Sequence, residues 1–366
     1  MVNFHRDVYC LLGLPFDAVS LADAVQCVRD SATHRIPCFM STPNLNFAIG
    51  CLKDVNFRDS VINSDLSVVD GMPLVWIARL LGVPIRERVP GSTLFEQLRI
   101  GSGKRLSVFF FGGADGSAEA ACQRLRLENS GLTCVGYESP GYGTIEDMSS
   151  DGVIQCINAS QADFLVVALG AKKGQAWIER NRARIAVPVI SHLGAVLNFV
   201  AGTVRRAPVW MHNTGLEWLW RIREEPALWR RYFGDGVALL SILFSRILPY
   251  AMYVRCHKPG ADEFKTAAVE ILTAGQHIAI NLQGAWSHKN ISLLRDCCSK
   301  AALAGRDIHL DMGRVTYIDS AVVGLVILLR GQQKQQRREL LLAAVSRPAR
   351  RVIRYCCAEY LSGVAS

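Results

Sequence analysis

Asp70 closes a short β-rich run, Leu66-Ser67-Val68-Val69, and is followed by Gly71. A carboxylate at the carboxyl end of a strand stands where α/β enzymes hold the groups that act on substrate. There it can take a proton from an attacking hydroxyl. The same aspartate also reads as the N-cap of a helix over 73–81. Thr42 and Asn44 follow another apolar run and offer hydrogen bonds to a sugar or base, against the plainer reading of turn chemistry around Pro43. Gly112-Gly113-x-x-Gly116, at a strand-to-helix junction, would let backbone amides approach a diphosphate, although it is neither a Walker loop nor a dinucleotide fingerprint. Further on, arginines and tryptophans interleave: Arg205, Arg206, Trp210, Trp218, Trp220, Arg221, Arg223, Trp229, Arg230 and Arg231. Guanidinium forks grip phosphate while indoles rest on apolar or interfacial matter, so this stretch suits an anionic, partly greasy ligand at a membrane surface. The chain has no Asp-x-Asp pair to carry a divalent ion. The charge of a leaving diphosphate then falls to Arg, Lys and helix ends, and neither a metal nor a cofactor is expected.

These groups need a scaffold, and the chain alternates the patterns of one. Leu106–Phe111, Asp163–Gly170 and Val187–Ser191 read as strands, each followed by glycine and a helical segment. Strand–glycine–helix repeats predict βαβ units and a parallel, Rossmann-like sheet with ligands at the carboxyl strand ends. The breaker cluster His257-Lys258-Pro259-Gly260 marks a boundary. Beyond it, strands over 277–282, 308–312 and 340–345 and helices over 321–330 and 349–355 predict a second, small α/β module. Three parts are therefore expected: residues 1–235 with an Arg/Trp-rich helical appendage, an apolar connector over 236–260, and a module over 261–366. The apolar run from Val237 to Val254 is interrupted by Arg246 and Pro249, which predicts an interfacial or packing helix rather than a membrane span.

At 366 residues, 50% hydrophobic and 20% charged, the chain is long enough for two globular domains. Its net charge of +9 favours anionic partners. Nucleic acid is not expected, because no recognition motif accompanies the charge. The 12 cysteines include no C-x-x-C pair and read as small buried hydrophobes of a reducing compartment. No signal peptide is apparent.

Thr42-Pro43-Asn44, Asp70-Gly71-Met72, Glu87 to Ser92, Phe111-Gly112-Gly113, Ala168-Leu169-Gly170 and Arg206-Ala207-Pro208 to Trp218 together resemble the WecG/TagA/CpsF family of glycosyltransferases, over roughly Tyr9 to Phe233. The resemblance implies a bacterial, metal-independent, inverting enzyme. It would move a sugar from a UDP-sugar to a lipid-diphosphate-linked (undecaprenyl-type) sugar during polysaccharide biosynthesis. Its place would be cytoplasmic, peripheral on the inner face of the cell membrane. By the same resemblance Asp70 is the base, and Thr42 and Asn44 line the pocket with Gly112, Gly113 and Gly170. Arg206, Arg221, Arg223, Arg230 and Arg231 would grip diphosphate and membrane. The chain departs from the family at Gly174, where a pocket glutamine is usual and Gln175 is the neighbouring substitute, and at Asn198, where an aspartate is usual.

Ile308 to Met312 followed by Val315 to Leu325 resembles a STAS domain, in which Ser320 matches a phosphorylatable serine. Phosphate there would sit at a helix N-terminus and could switch a protein partner. A plain helix-capping role competes with that reading. The alternative for the whole chain is a catalytically weakened nucleotide-sugar sensor or scaffold acting through its STAS module.

Overall fold

The fold, seen in a computed structural model that describes residues 2–101, 103–202, 207–208, 211 and 215–362, is built on two main sheets. A hairpin of β1 (Val8–Leu11) and β2 (Leu14–Asp17) comes first. The six strands that follow are β3 (Cys38–Ser41), β4 (Leu66–Ser67), β5 (Leu106–Gly112), β6 (Leu132–Glu138), β7 (Phe164–Ala168) and β8 (Val189–His192). They form one parallel sheet in the order β4-β3-β8-β7-β5-β6. Alternate residues feed opposite faces: Val108, Phe110 and Val166 enter one apolar layer, while Phe109, Phe111 and Val167 enter the other. Burial on both faces is why these strands read as continuous hydrophobic runs. β4 lies on one side of β3 and every later strand on the other. The chain's path across the sheet reverses there, and such a reversal opens a crevice at the carboxyl strand ends.

The second sheet has the order β12-β11-β10-β9, from β9 (Ala268–Ala274), β10 (His277–Ala285), β11 (Asp307–Tyr317) and β12 (Leu340–Val345). Only β9 runs antiparallel to its neighbour. The hairpin, β6 and β9 had no clear sequence signal: β6 exposes Val135 and Tyr137, and β9 is largely solvated.

The helix Ser320–Gln335 is buried on almost every side from Ser320 to Leu329, because it lies between its own sheet and the β1–β2 hairpin. Gly324 makes the approach possible. A Cβ there would stand 3.2–3.3 Å from the Val8 carbonyl oxygen, the Tyr9 carbonyl carbon and the Cys10 nitrogen. Asp59 accepts hydrogen bonds from Arg330 at 3.3 Å and from Lys334. The chain's end hooks the hairpin turn: Gly13 N–H donates to Cys356 O at 2.6 Å, and the Tyr360 hydroxyl donates to Gly13 O at 2.7 Å. One apolar cluster therefore runs through both domains, from Phe4, Leu14 and Phe16 to Leu325, Leu329 and Leu361.

Two features go beyond the expectations. The apolar run lies within a longer element: residues Pro226–Cys256 make one helical span of 31 residues, long and apolar enough to cross a membrane by length and composition alone. Pro249 is tolerated because a π-helical stretch, Leu243–Ile247, immediately precedes it and re-routes the hydrogen bonds its missing N–H would have completed. The cysteines are not all isolated thiols either, since Cys122 and Cys134 are joined by a disulfide between the helix Ser117–Leu127 and β6.

Replacing a helical glycine by alanine ordinarily stabilises by about 1 kcal/mol. At Gly324 the methyl meets backbone that cannot yield, so Gly324→Ala is expected to destabilise by roughly 1–3 kcal/mol in urea unfolding. A neutral or raised midpoint would contradict this packing.

Candidate active site

Three loops at the carboxyl ends of β3, β4 and β8 converge. After β3, Asn44 caps the helix Leu45–Lys53, its side-chain oxygen accepting from Phe47 N–H at 3.1 Å. That oxygen is spent on turn chemistry, as the plainer reading had it. Thr42 is buried beside it. After β4, the chain pairs onward through Asp70 N–H to Pro43 O at 3.0 Å and Val89 N–H to Val69 O at 2.7 Å. Gly91 then packs against Thr42 and Leu193 so closely that a Cβ would overlap the leucine side chain.

Asp70 does not cap the helix that follows it. The cap of Met72–Leu81 is Gly71, with no side-chain hydrogen bond, so the carboxylate is left for other work. It is half-buried, and burial pushes its pKa up to about 6, with the Glu217 charge adding to the rise. Arg221, Arg88 and the Gly91 N–H oppose that rise. Glu217 accepts from Arg88 at 2.8 Å and faces Arg221 Nε at 3.8 Å. Four charged groups thus meet here, two acidic and two basic. Arg88 and Glu217 lie within the stretches that carry the family resemblance, but neither has a neighbour in sequence that would announce its role. A small cleft of about 50 Å³ adjoins them, lined by Ala195, Asn198, Phe199, Glu217, Trp220 and Arg221. Asn198, one of the two departures from the family pattern, therefore borders the cleft.

Other expected residues are placed differently. Gly112 and Gly113 have φ of 91° and 93°, but the Gly113 N–H donates to Ala168 O at 2.8 Å within the sheet. A Cβ on Gly112 would stand 2.8 Å from Leu169 Cδ2, so this pair serves close packing and that amide is not free for a diphosphate. Gly170 begins the helix Ala171–Asn181 with open space above it. Gln175 is not a pocket residue: it is 0% exposed, and its amide donates to Ser41 Oγ at 3.0 Å in the layer beneath the site. Arg223, Arg230 and Arg231 are exposed and lie over Trp220, Trp229 and Tyr232 respectively, rather than joining the Asp70 group. Arg206, with Arg205 and Trp210, lies outside the described residues. Ser320 is 4% exposed and starts a helix capped instead by Asp319, which accepts from Ala321 and Val322 N–H. The capping role weighed for the serine therefore belongs to its neighbour, and its hydroxyl is closed to a kinase in this arrangement. Among the described residues no group of three or more His, Cys, Asp or Glu side chains is placed to hold a metal.

Two family models match the chain. The family described as "Glycosyl transferase WecG/TagA/CpsF family" matches residues 9–251, and that described as "Mlab, STAS domain" matches residues 270–358. A Bacillus spizizenii protein named N-acetylglucosaminyldiphosphoundecaprenol N-acetyl-beta-D-mannosaminyltransferase is 29% identical over 194 residues, 53% of this chain and 74% of that protein. A Bacillus subtilis protein of the same name is 27% identical over 57% of this chain and 80% of its own length. Among solved structures, the anti-sigma factor antagonist SpoIIAA in its unphosphorylated form aligns with 27% of this chain and 89% of its own, at 22% identity and a TM-score of 0.25.

The raised pKa of Asp70 has a stability consequence. Its folded pKa of about 6 exceeds the ordinary 3.8, so the ionised carboxylate costs stability fully above pH 6 and not at all below about 4. Asp70→Asn is expected to stabilise by roughly 1–3 kcal/mol at pH 7.5 and to lose that advantage at pH 4, read by denaturant unfolding at both values.

Proposed function

Because the chain belongs to the WecG/TagA/CpsF family of glycosyl transferases, we propose that it transfers a sugar, with inversion, from a UDP-sugar to a lipid-diphosphate-linked acceptor of the undecaprenyl type. The names of its relatives support the acceptor class and polysaccharide assembly. The observation that carries the chemistry is Asp70: a carboxylate not used for capping, at a strand's carboxyl end, with its pKa raised to about 6. Ionised at neutral pH, it takes the proton from the acceptor hydroxyl. The oxygen attacks the anomeric carbon, and the bond to UDP breaks on the opposite face. Arg88 and Arg221, drawn toward Glu217 here, are described cations that act on the Asp70 charge and would turn to the departing diphosphate without a metal.

The long apolar helix would bring the enzyme to its lipid-linked substrate. Trp229, Phe233, Val237, Leu240 and Phe244 are exposed and recur at helical spacing on one face. The far end of the same span is packed inside the protein through Ile247, Tyr250 and Tyr253. A helix tethered in this way lies on a bilayer rather than crossing it, with exposed arginines reaching anionic headgroups. We accordingly place the protein peripherally on the inner face of the cell membrane. Residues 1–235 act as the transferase, 236–260 as connector and 261–366 as the STAS module.

Two outcomes are expected. Asp70→Asn should lower kcat by 10²- to 10⁴-fold in a UDP-release assay containing EDTA. In the wild type, kcat/KM should fall as pH drops through about 6, and Glu217→Gln should move that limb to lower pH, since a negative neighbour has gone. An unchanged limb would remove Glu217 from the electrostatics. For the membrane, Phe233→Asp with Leu240→Asp should abolish sedimentation with phosphatidylglycerol vesicles while leaving the melting temperature within a few degrees. Retained sedimentation would exclude this face.

A further inference from the structure

His192 ends β8, the strand seated between β3 and β7, so its ring stands at the centre of the carboxyl edge between the Thr42 loop and Gly170. Its Nε2 is hydrogen-bonded to the Leu169 carbonyl, and because a carbonyl only accepts, the proton sits on that nitrogen. Burial lowers the imidazole's pKa, which keeps it neutral and makes Nδ1 an acceptor. Among the described residues Nδ1 has no hydrogen-bond partner. Phe47 packs against the ring with centroids 6.1 Å apart, from the helix that Asn44 caps.

The ring's place depends on Gly174. Any Cβ at that position, inside the helix Ala171–Asn181, would overlap His192 Cδ2. Glycine within a helix costs about 1 kcal/mol relative to alanine. Nδ1 is not among the buried polar atoms shut off from solvent, so a ligand can reach it. A leucine at 192 with alanine at 174 would avoid the glycine's cost, so filling space does not explain this pair. A ligand that donates to Nδ1 does.

We infer that His192 positions the transferred sugar, its Nδ1 accepting a hydrogen bond from a hydroxyl of the bound UDP-sugar. The inference rests on the transferase reading and assigns the polar contact at this point of the pocket to His192, where the sequence had pointed to Gln175. It makes His192 a positioning residue that moves no proton, since its remaining N–H is held by Leu169.

Two variants separate this role from a structural one. Asparagine can present its oxygen where Nδ1 stands but cannot reach Leu169. Glutamine can reach Leu169 but has no acceptor at the Nδ1 position. In the full-length protein, His192→Gln is expected to raise the donor KM roughly tenfold, with little change in kcat, melting temperature or the pH limb near 6. His192→Asn should keep KM within about threefold while melting at lower temperature. The reverse order, or an unchanged KM in both, would overturn the inference and leave His192 as a tie to Leu169. If the wild type turned over no UDP-sugar, the transferase reading itself would have failed. The same order would then be sought in UDP-sugar affinity by calorimetry, where absence of binding or equal affinities also overturns the inference.

Discussion

The enclosure of the helix Ser320–Gln335 between two sheets is the contact on which the rest of the molecule depends. A two-stranded hairpin with four-residue strands is marginal by itself, and here it is covered by a helix from the other end of the chain. The seat is shaped by backbone rather than by side chains: Gly324 lies against Val8 to Cys10, and the carbonyl of Cys356 meets the turn at Gly13. Charge then orients it, with Asp59 facing Arg330 and Lys334, and Arg295 donating to Asp7 at 3.0 Å. These pairs are partly buried, which shields them from salt more than surface pairs are shielded.

That contact reaches the candidate site through the apolar helix. Its last part, Leu248–Cys256, inserts Tyr250 into the shared core over the start of the Ser320 helix. It also packs against Met72–Leu81, where Arg255 donates to Leu80 O at 3.2 Å. Met72–Leu81 is the helix that follows Asp70 directly. The STAS-like module thus holds the root of the apolar helix and, through it, the element next to Asp70. The module is docked on its own chain, and Ser320 is enclosed at that contact.

The site itself is a balance of burial against charge. Burial raises the pKa of Asp70, and the arginines beside it keep the rise from going further. Arg88 and Arg221 both face Glu217 and both offset its effect on Asp70.

Much of this was legible in the residues. Buried strands such as Phe164–Ala168 are apolar throughout, and glycines with φ near +90° at 112 and 113 mark a strand's end, because few other residues adopt that backbone. The motifs around Thr42, Asp70 and Arg206 to Trp218 were enough to point to the family. Local pattern also pointed to a second α/β unit beyond the breaker cluster at 257–260, over residues 261–366. What it could not determine were contacts between residues far apart in the chain. Gln175 and Gly174 are neighbours in sequence, yet one turns into the core toward Ser41 and the other makes room for His192. Glu217 acquires its importance from Arg88, 129 residues away, and the hairpin at residues 8–17 acquires its stability from a helix more than 300 residues later. Composition and period specify elements, because backbone propensity and amphipathicity act within a few residues. Which polar groups share a cleft, and which surfaces are covered, is decided by packing, and packing exists only once the chain has closed.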